Sequence, residues 1–356
     1  MNRPRNTLLP NWLSLALSIA FVLSSIVVII FAYLTFGIVW NRPVNPVEAA
    51  AAEVSGIDLS MAQEGTAPVP TLLAGQPTPT LIPTREGMAD SNRINILAMG
   101  IDRRPGEPFI SRTDSIMIIS VNPDTQKISI LSVPRDLYVV IPGKGRDRIN
   151  TAFVYGSTGN NPAGGALLAM QTIEYNLGIP IDHYLLVDFS AVTNGIDALG
   201  GIDVYVPYEI YDPTFPDMNY GYDPFYVAAG QQHFDGTFAL KYARTRHADN
   251  DFYRASRQQQ VLLAARDKAF SLGIGGLIAR APILYQQLEQ GIRTDLSLDE
   301  MMRIATTVSE IPKENIRNEV IDSTYVTNFT TEQGASVLIM INEKVSPLIE
   351  SMFYGD

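Results

Sequence analysis

The sequence contains no cysteine, and histidine occurs only three times in its 356 residues. Without cysteine the chain forms no disulfide and offers no thiolate to a metal ion. With so few histidines, a histidine-rich zinc centre is not expected either. Any metal ion bound here is therefore expected to be a hard cation held by oxygen ligands.

Positive charge is scarce as well. The 26 lysines and arginines are outnumbered by 37 aspartates and glutamates, which gives a net charge of −11 at pH 7. This balance argues against a general nucleic-acid binder, because phosphate backbones are bound by basic surfaces. We expect no nucleic-acid partner, and an anion site in this chain must be a local cluster of arginines.

A long uncharged segment lies near the N-terminus. No charged residue occurs between Thr7 and Asn41, and most of this stretch is apolar. A helix needs roughly 20 apolar residues to span a bilayer, so residues 13–40 are predicted to be a transmembrane helix. Arginines precede it, which by the positive-inside rule makes residues 1–12 a short cytoplasmic tail. A cleaved signal peptide is the alternative, but its apolar core is only about 7–15 residues long.

The remainder of the chain divides into three parts. Residues 41–92 contain seven prolines and little apolar periodicity, which predicts an extended extracytoplasmic linker. Residues 93–272 carry the charged motifs and form the predicted main domain. Residues 273–356 carry no motif and are expected to be a helical extension packed on that domain.

Apolar runs that suit strands alternate with longer periodic segments that suit helices. This alternation predicts an α/β domain with a mixed central β-sheet flanked by helices on both faces. The predicted strands are Asn95–Gly100, Ser115–Val121, Lys127–Val133, His183–Val187, Ile202–Val206 and a late one at Asn318–Ile321. The predicted helices are Ala163–Leu177, Ser190–Leu199, Thr237–Ala243, Asp251–Leu272, Gly276–Gln290 and Ser297–Glu310.

Charged residues stand where these strands are expected to end or begin. Asp102 follows the first strand and Asp114 precedes the second, so both could offer oxygen ligands to Mg²⁺ at one edge of the sheet. Arg112 and Arg135 could face the same anion. The alternative is that these residues form turns and surface ion pairs, and their spacing alone does not decide between the two.

A second cluster of charge precedes and opens the predicted helix Asp251–Leu272. Its basic residues are Arg244, Arg246, Arg254 and Arg257. On the helix, the last two share a face with Gln258 and the apolar Val261. Arginine suits phosphate because its planar fork binds two oxygens at once, and a phosphate with an apolar tail matches this polarity. The alternative is a solvated charge run in which nearby aspartates pair with the arginines.

An aromatic-rich segment between Tyr208 and Val227 is interrupted by prolines and glycines, which argues against a helix. Tyrosines there would suit contacts with sugars or with the mouth of a lipid site. A loop packed on its own side chains explains the same pattern, and both interpretations stay open.

Seven short motifs, taken in order, resemble the LytR–CpsA–Psr family of cell-wall glycopolymer ligases. They begin at Leu97, Arg112, Ser132, Arg148, Gly178, Asp197 and Tyr242, and read LAMGID, RTDSIM, SVPRD, RINTA, GIPIDHY, DALGGIDV and YARTR. The resemblance covers roughly Arg93 to Ser271. Each motif alone is weakly specific, but together they are highly specific.

The resemblance implies a phosphotransferase that moves a glycopolymer from a polyprenyl-pyrophosphate donor to peptidoglycan. It implies a bacterial single-pass membrane protein whose LytR–CpsA–Psr catalytic domain lies outside the cytoplasm. Asp102 and Asp114 are implied to hold Mg²⁺, with Mn²⁺ as an alternative. The implied pyrophosphate-binding residues are Arg112, Arg135, Arg244, Arg246, Arg254, Gln258 and Arg257, the last at a position that is not always basic in the family. The implied catalytic residues are Asp102, Asp114, Arg135 and Arg244.

The same resemblance carries further expectations. Asp136 is expected to orient Arg135 rather than to touch the substrate. The lipid is expected in a tunnel lined by Leu167, Leu168, Val192, Ile196, Val261 and Leu262, all of which also suit an ordinary core. Two other functions stay open: a receptor that binds polyprenyl pyrophosphate without chemistry, and a lipid pyrophosphatase. The sequence does not indicate whether the glycopolymer is a teichoic acid, a capsule or another polymer.

Overall fold

The computed structural model describes residues 92–103, 107–217, 221–246, 250–273 and 291–354. The predicted cytoplasmic tail, transmembrane helix and nearly all of the linker lie outside these residues, as does the predicted helix Gly276–Gln290. Among the described helices, none combines the length and apolar character that a membrane crossing requires.

The centre of the domain is a mixed six-stranded sheet with the strand order β11-β6-β1-β2-β3-β12. These strands are β1 (Ile94–Ile101), β2 (Thr113–Asn122), β3 (Lys127–Ser132), β6 (His183–Asp188), β11 (Ile292–Thr294) and β12 (Ile316–Val320). β1 pairs with β6 in parallel, and β3 pairs with β12 in parallel. The remaining three pairings are antiparallel. β2 and β3 form an antiparallel hairpin.

Helices cover both faces of this sheet. They are α1 (Ala152–Gly156), α2 (Pro162–Leu177), α3 (Phe189–Leu199), α4 (Gly236–Arg244), α5 (Asp251–Ser271), α6 (Leu298–Glu310) and α7 (Asn342–Ile349). Along β2 the side chains alternate between faces: Ile118 packs in the core with α1, α2 and α7, while Met117 and Ile119 pack towards α5 and α6. The predicted α/β domain with a mixed sheet between helices is confirmed.

Four two-stranded ribbons surround the sheet. They are β4 (Tyr138–Ile141) with β5 (Gly145–Arg148), β7 (Ile202–Val206) with β10 (Gly230–Phe234), β8 (Ile210–Asp212) with β9 (Phe225–Val227), and β13 (Val326–Thr330) with β14 (Ser336–Met340). The predicted strand at 202–206 therefore exists but lies outside the central sheet.

The aromatic-rich segment is a hairpin with two different faces. Phe215 and Phe225 are buried in a hydrophobic cluster that also contains residues of α4. Tyr211 and Tyr226 face each other across β8 and β9 and are more than half exposed. The inner aromatics thus form the self-packed core that one of the two interpretations required.

The C-terminal segment requires a correction. Its described residues, 291–354, are not a helical extension, because β11 and β12 are the two outermost strands of the central sheet. Phe353 is only 1% exposed and belongs to the main core. The late strand predicted at Asn318–Ile321 is confirmed as β12, whereas β11 has only three residues, too few for a periodicity that could be recognised without its partner strand.

We therefore predict that Phe353→Ala lowers the free energy of unfolding by about 3–5 kcal/mol, the usual cost of deleting a buried phenyl ring. Urea unfolding followed by circular dichroism measures the change. Met302→Ala, at a site on α6 that is 60% exposed, serves as the control and should shift stability by less than about 0.5 kcal/mol. Equal effects from the two substitutions would contradict a core position for the C-terminal segment.

Candidate active site

Segments that are far apart in sequence meet at one edge of the central sheet, namely the edge at which β1 and β3 end and β2 begins. β1 ends beside the start of β2, with Gly100 opposite Ser115, so the residues that follow β1 and open β2 share this edge. β3 runs antiparallel to β2 and ends at the same edge, with Ser132 opposite Met117. Arg135 follows three residues later. The register of three neighbouring strands therefore brings the first cluster of charge together.

The second cluster reaches this edge through the junction of α4 and α5. Arg244 is the last residue of α4, and α5 begins at Asp251. Asn250 caps α5, because its side-chain oxygen accepts from the backbone NH groups of Phe252 and Tyr253. Arg254 then lies in the first turn of the helix.

Both clusters line one cavity, which we call the arginine pocket. Its twelve lining residues are Gly100, Asp102, Asp114, Ser115, Arg135, Phe189, Phe215, Pro216, Arg244, Arg246, Arg254 and Gln258. Four arginines and two aspartates give this lining a net charge of two positive units. The structure thus assembles most of the predicted site residues around one space that suits an anion.

Arg135 is surrounded by three carboxylates. Its Nη1 donates to Oδ1 of Asp114 at 2.7 Å, and its Nε lies 3.1 Å from Oδ2 of Asp251 and 3.6 Å from Oδ2 of Asp136. Burial lowers the pKa of Arg135, but the three carboxylates outweigh this effect and leave the pKa raised. Asp136 also pairs with Arg148 at 3.3 Å. These contacts fit the expectation that Asp136 orients Arg135.

The charges of Arg254 and Arg244 are less well balanced by nearby carboxylates than the charge of Arg135. Burial is the main cause that lowers the pKa of each, and nearby carboxylates offset it only in part. In the described part of the chain, the buried Nε atoms of Arg135 and Arg254 make no hydrogen bond. Such atoms carry a desolvation cost that a suitable acceptor would remove. The pocket is therefore short of both negative charge and acceptor oxygens.

Aromatic rings and an amide fix the remaining walls. The guanidinium of Arg244 lies 4.4 Å from the ring centre of Phe189 and 5.5 Å from that of Phe215, within the range of cation–π attraction. Ser115 Oγ donates to Gln258 Oε1 at 2.9 Å. This contact fastens α5 to β2 and places Gln258 at the pocket, as expected.

Two predicted binding residues do not line the pocket. Arg112 is exposed just before β2. Arg257 is 4% exposed and donates from Nε to the carbonyl of Tyr242 at 3.1 Å, and from Nη2 to the carbonyl of Thr245. Because the last carbonyls of a helix lack partners within it, Arg257 serves as a brace for the end of α4. The helical face that Arg254 and Arg257 share was predicted. The two side chains nevertheless meet different neighbours, and only Arg254 lines the pocket.

Asp102 and Asp114 fit the ligand set of a magnesium ion. Their side chains are 41% and 38% exposed, and both line the pocket. Among the described residues, no group of three or more His, Cys, Asp or Glu could hold a metal by itself. Mg²⁺ is nevertheless commonly held by one or two carboxylates together with substrate phosphates. Two carboxylates beside an anion pocket meet that requirement.

A second, more apolar cavity adjoins the arginine pocket and shares Asp114, Ser115, Arg135, Arg254 and Gln258 with it. We call it the apolar groove. Its apolar lining is Ile116, Val133, Pro134, Phe252, Ala255, Val320 and Leu338. None of these was among the side chains expected to line a lipid tunnel. Five of those six lie instead in three separate hydrophobic clusters.

Several site residues were missed in the sequence. Phe189 follows β6, which runs parallel to β1 and ends opposite Ile101. A prediction of this parallel pairing would have placed Phe189 beside the residues that follow β1. In the sequence, Asp251 was indicated only as the first residue of the predicted helix Asp251–Leu272. Phe215 and Pro216 lie in the aromatic-rich segment between Tyr208 and Val227, but only the packing of the β8–β9 hairpin on α4 brings them to the pocket.

The fold and the pocket define an α/β domain with an arginine-rich anion site beside an apolar groove. The chain belongs to the LytR_cpsA_psr family, whose model matches residues 59–353, and the resemblance noted in the motifs is confirmed. The match extends well beyond residue 272, in agreement with the two late strands at the edges of the sheet.

Several known proteins are similar to this chain. A protein of Oceanobacillus iheyensis named polyisoprenyl-teichoic acid–peptidoglycan teichoic acid transferase TagU is 35% identical over 219 residues, which cover 61% of this chain and 63% of that protein. A protein of the same name from Enterococcus faecalis is 31% identical over 59% of this chain and 64% of its own length. These matches thus span less than two thirds of each relative. The crystal structure of B. subtilis TagV matches with a TM-score of 0.58 and 26% identity, covering 74% of this chain and 98% of TagV.

Arg257 and Arg246 should differ in what they support. We predict that Arg257→Ala lowers the free energy of unfolding by about 3 kcal/mol, because two buried charge-assisted hydrogen bonds are lost. Arg246→Ala, at an exposed position of the same pocket region, should change stability by less than about 0.5 kcal/mol. Thermal unfolding of both variants provides the comparison, and a stable Arg257→Ala protein would contradict the bracing role.

Proposed function

We propose that this protein transfers a glycopolymer phosphate from a polyprenyl-pyrophosphate donor to a peptidoglycan hydroxyl. The observation that carries the proposal is the polarity of the site. The arginine pocket offers four guanidiniums, and the apolar groove shares two of these arginines, Arg135 and Arg254. A pyrophosphate joined to an isoprenoid chain has this polarity, whereas a free sugar phosphate would leave the groove exposed.

The relatives support the donor and the acceptor. The similar proteins of O. iheyensis and E. faecalis are named as teichoic acid transferases that act from a polyisoprenyl carrier to peptidoglycan. We extend this activity to the present chain, with a cell-wall glycopolymer as the transferred group. A membrane anchor at residues 13–40 would place the domain near the lipid donor, outside the cytoplasm.

In the proposed reaction, the acceptor hydroxyl attacks the phosphorus that bears the glycopolymer. A new P–O bond forms, the bridging P–O bond of the pyrophosphate breaks, and polyprenyl phosphate leaves with the bond electrons. Phosphoryl transfer of this kind depends on alignment and charge neutralisation more than on covalent catalysis. Arg135, Arg244 and Arg254 would bind the phosphate oxygens and stabilise the charge on the leaving group. Arg246 stands at the exposed side of the same pocket.

The hydroxyl proton must also be accepted. Asp102 and Asp114 are the carboxylates that line the pocket, and either one could take the proton or hold a divalent cation. A Mg²⁺ or Mn²⁺ ion, when bound, would neutralise pyrophosphate charge and polarise the bridging oxygen. Asp114 is fixed for either role by its 2.7 Å hydrogen bond from Arg135.

We expect Arg135→Ala and Asp114→Ala each to reduce glycopolymer transfer about 10²–10³-fold, as for the loss of one preorganised electrostatic group. The assay combines a polyprenyl-pyrophosphate glycan, Mg²⁺ and peptidoglycan oligomers, and follows glycan incorporation. Arg317→Ala, at a surface ion pair with Glu319, is the matched control and should leave transfer unchanged. Donor binding without turnover would indicate a receptor, and release of the glycan phosphate to water would indicate a pyrophosphatase.

Metal dependence gives a separate expectation. Chelation with EDTA should abolish transfer, and Mg²⁺ or Mn²⁺ should restore it. Asp102→Asn should raise the Mg²⁺ concentration needed for half-maximal transfer by about tenfold or more, because one carboxylate ligand is lost. Full activity in EDTA would exclude the metal role while leaving the anion pocket in place.

A further inference from the structure

Asp251 occupies an unusual place at the boundary between the arginine pocket and the apolar groove. Its Oδ2 lies 3.1 Å from Nε of Arg135 and 3.2 Å from Nη2 of Arg254. One carboxylate oxygen thus touches two of the guanidiniums that are proposed to bind phosphate. An oxygen of a bound pyrophosphate would seek the same position between them.

The contact between Asp251 and the two arginines is separate from the cap of α5. Asn250, not Asp251, caps α5, and the Asp251 side chain is 33% exposed. Although the Asp251 oxygen is close to Nε of Arg135, that Nε makes no hydrogen bond within the described residues. The contact with Arg135 is therefore an ion pair with poor hydrogen-bond geometry, while Asp251 accepts a hydrogen bond from Nη2 of Arg254 at 3.2 Å. A phosphate oxygen that accepts from both arginines can replace it.

The other carboxylates near Arg135 are held differently. Asp114 accepts a well-formed hydrogen bond from Nη1 of Arg135, and Asp136 is shared with Arg148. Asp251, Asp114 and Asp136 together raise the pKa of Arg135 against the effect of burial. Asp251 differs from the other two because one of its oxygens lies between two guanidiniums of the proposed phosphate site.

We propose that Asp251 is an intramolecular competitor for the phosphate position, which the donor must displace in order to bind both Arg135 and Arg254. This inference rests on the proposed function of the pocket as a pyrophosphate site. The carboxylate lowers the affinity for anions and selects those with enough charge to bridge both arginines. After transfer it returns to the guanidiniums and speeds the release of the phosphate product.

The test is a titration of the full chain with inorganic pyrophosphate by calorimetry, in Mg²⁺ buffer and separately in EDTA. Asp251→Asn keeps the size of the side chain and removes its charge. We expect it to bind pyrophosphate about tenfold more tightly in both buffers, a gain of about 1.4 kcal/mol. Asp251→Glu keeps the negative charge and should bind pyrophosphate about as tightly as the unchanged protein does.

Asp267→Asn is the matched control, since Asp267 lies on the same helix but pairs with Lys313 and Arg266. It should leave pyrophosphate affinity unchanged. Thermal unfolding adds a second readout: Asp251→Asn removes a favourable negative charge from a helix N-terminus, so its melting temperature without ligand should fall slightly while its affinity rises. General damage to the fold would lower both.

Each alternative result overturns the proposal. Unchanged binding by Asp251→Asn, or weaker binding in both buffers, would make Asp251 a support for the arginines, and a loss confined to Mg²⁺ buffer would make it part of a metal site. Tighter binding by Asp251→Glu would show that charge is not the cause. If neither the unchanged protein nor Asp251→Asn binds pyrophosphate, the proposed anion pocket itself fails together with this inference.

Discussion

The constraint on which the site depends is the burial of several guanidiniums at one edge of a sheet. Arginine stays charged when it is buried, so the structure must supply negative charge or acceptor oxygens near it. Arg135 obtains both from Asp114 and its neighbours. Arg254 and Arg244 obtain less than burial demands. This shortfall is what makes the pocket attractive to an anion.

A set of buried polar contacts holds the elements that carry these arginines in place. Arg257 ties α5 to the end of α4. Thr245, directly after Arg244, donates to the fully buried Asp212 at 2.7 Å, which joins the β8–β9 hairpin to the same junction. Gln259 donates to Ser132 Oγ and so connects α5 with β3. Because these contacts order the pocket before a ligand arrives, less conformational entropy is lost on binding.

The same network explains how a polar site can adjoin an apolar one. Arg135, Arg254 and Gln258 border both cavities. Phe252 and Leu338 lie on the apolar side, and Leu338 also donates its backbone NH to the carbonyl of Asp136 at 3.0 Å. The C-terminal hairpin therefore takes part in the site, although no motif in that region indicates it.

The sequence by itself determined the fold class, most strands and helices, and the set of charged residues from which the site is built. These features follow from local patterns: period-two and helical periodicity, turn residues and clustered arginines. Tertiary structure decided which of those residues act together. Arg254 and Arg257 lie on one helical face, yet one lines the pocket and the other braces a helix end, because each meets a different neighbour. The edge strand β11, the aromatic walls at Phe189 and Phe215, and the place of Asp251 between two guanidiniums likewise depend on partners distant in sequence, which no local pattern specifies.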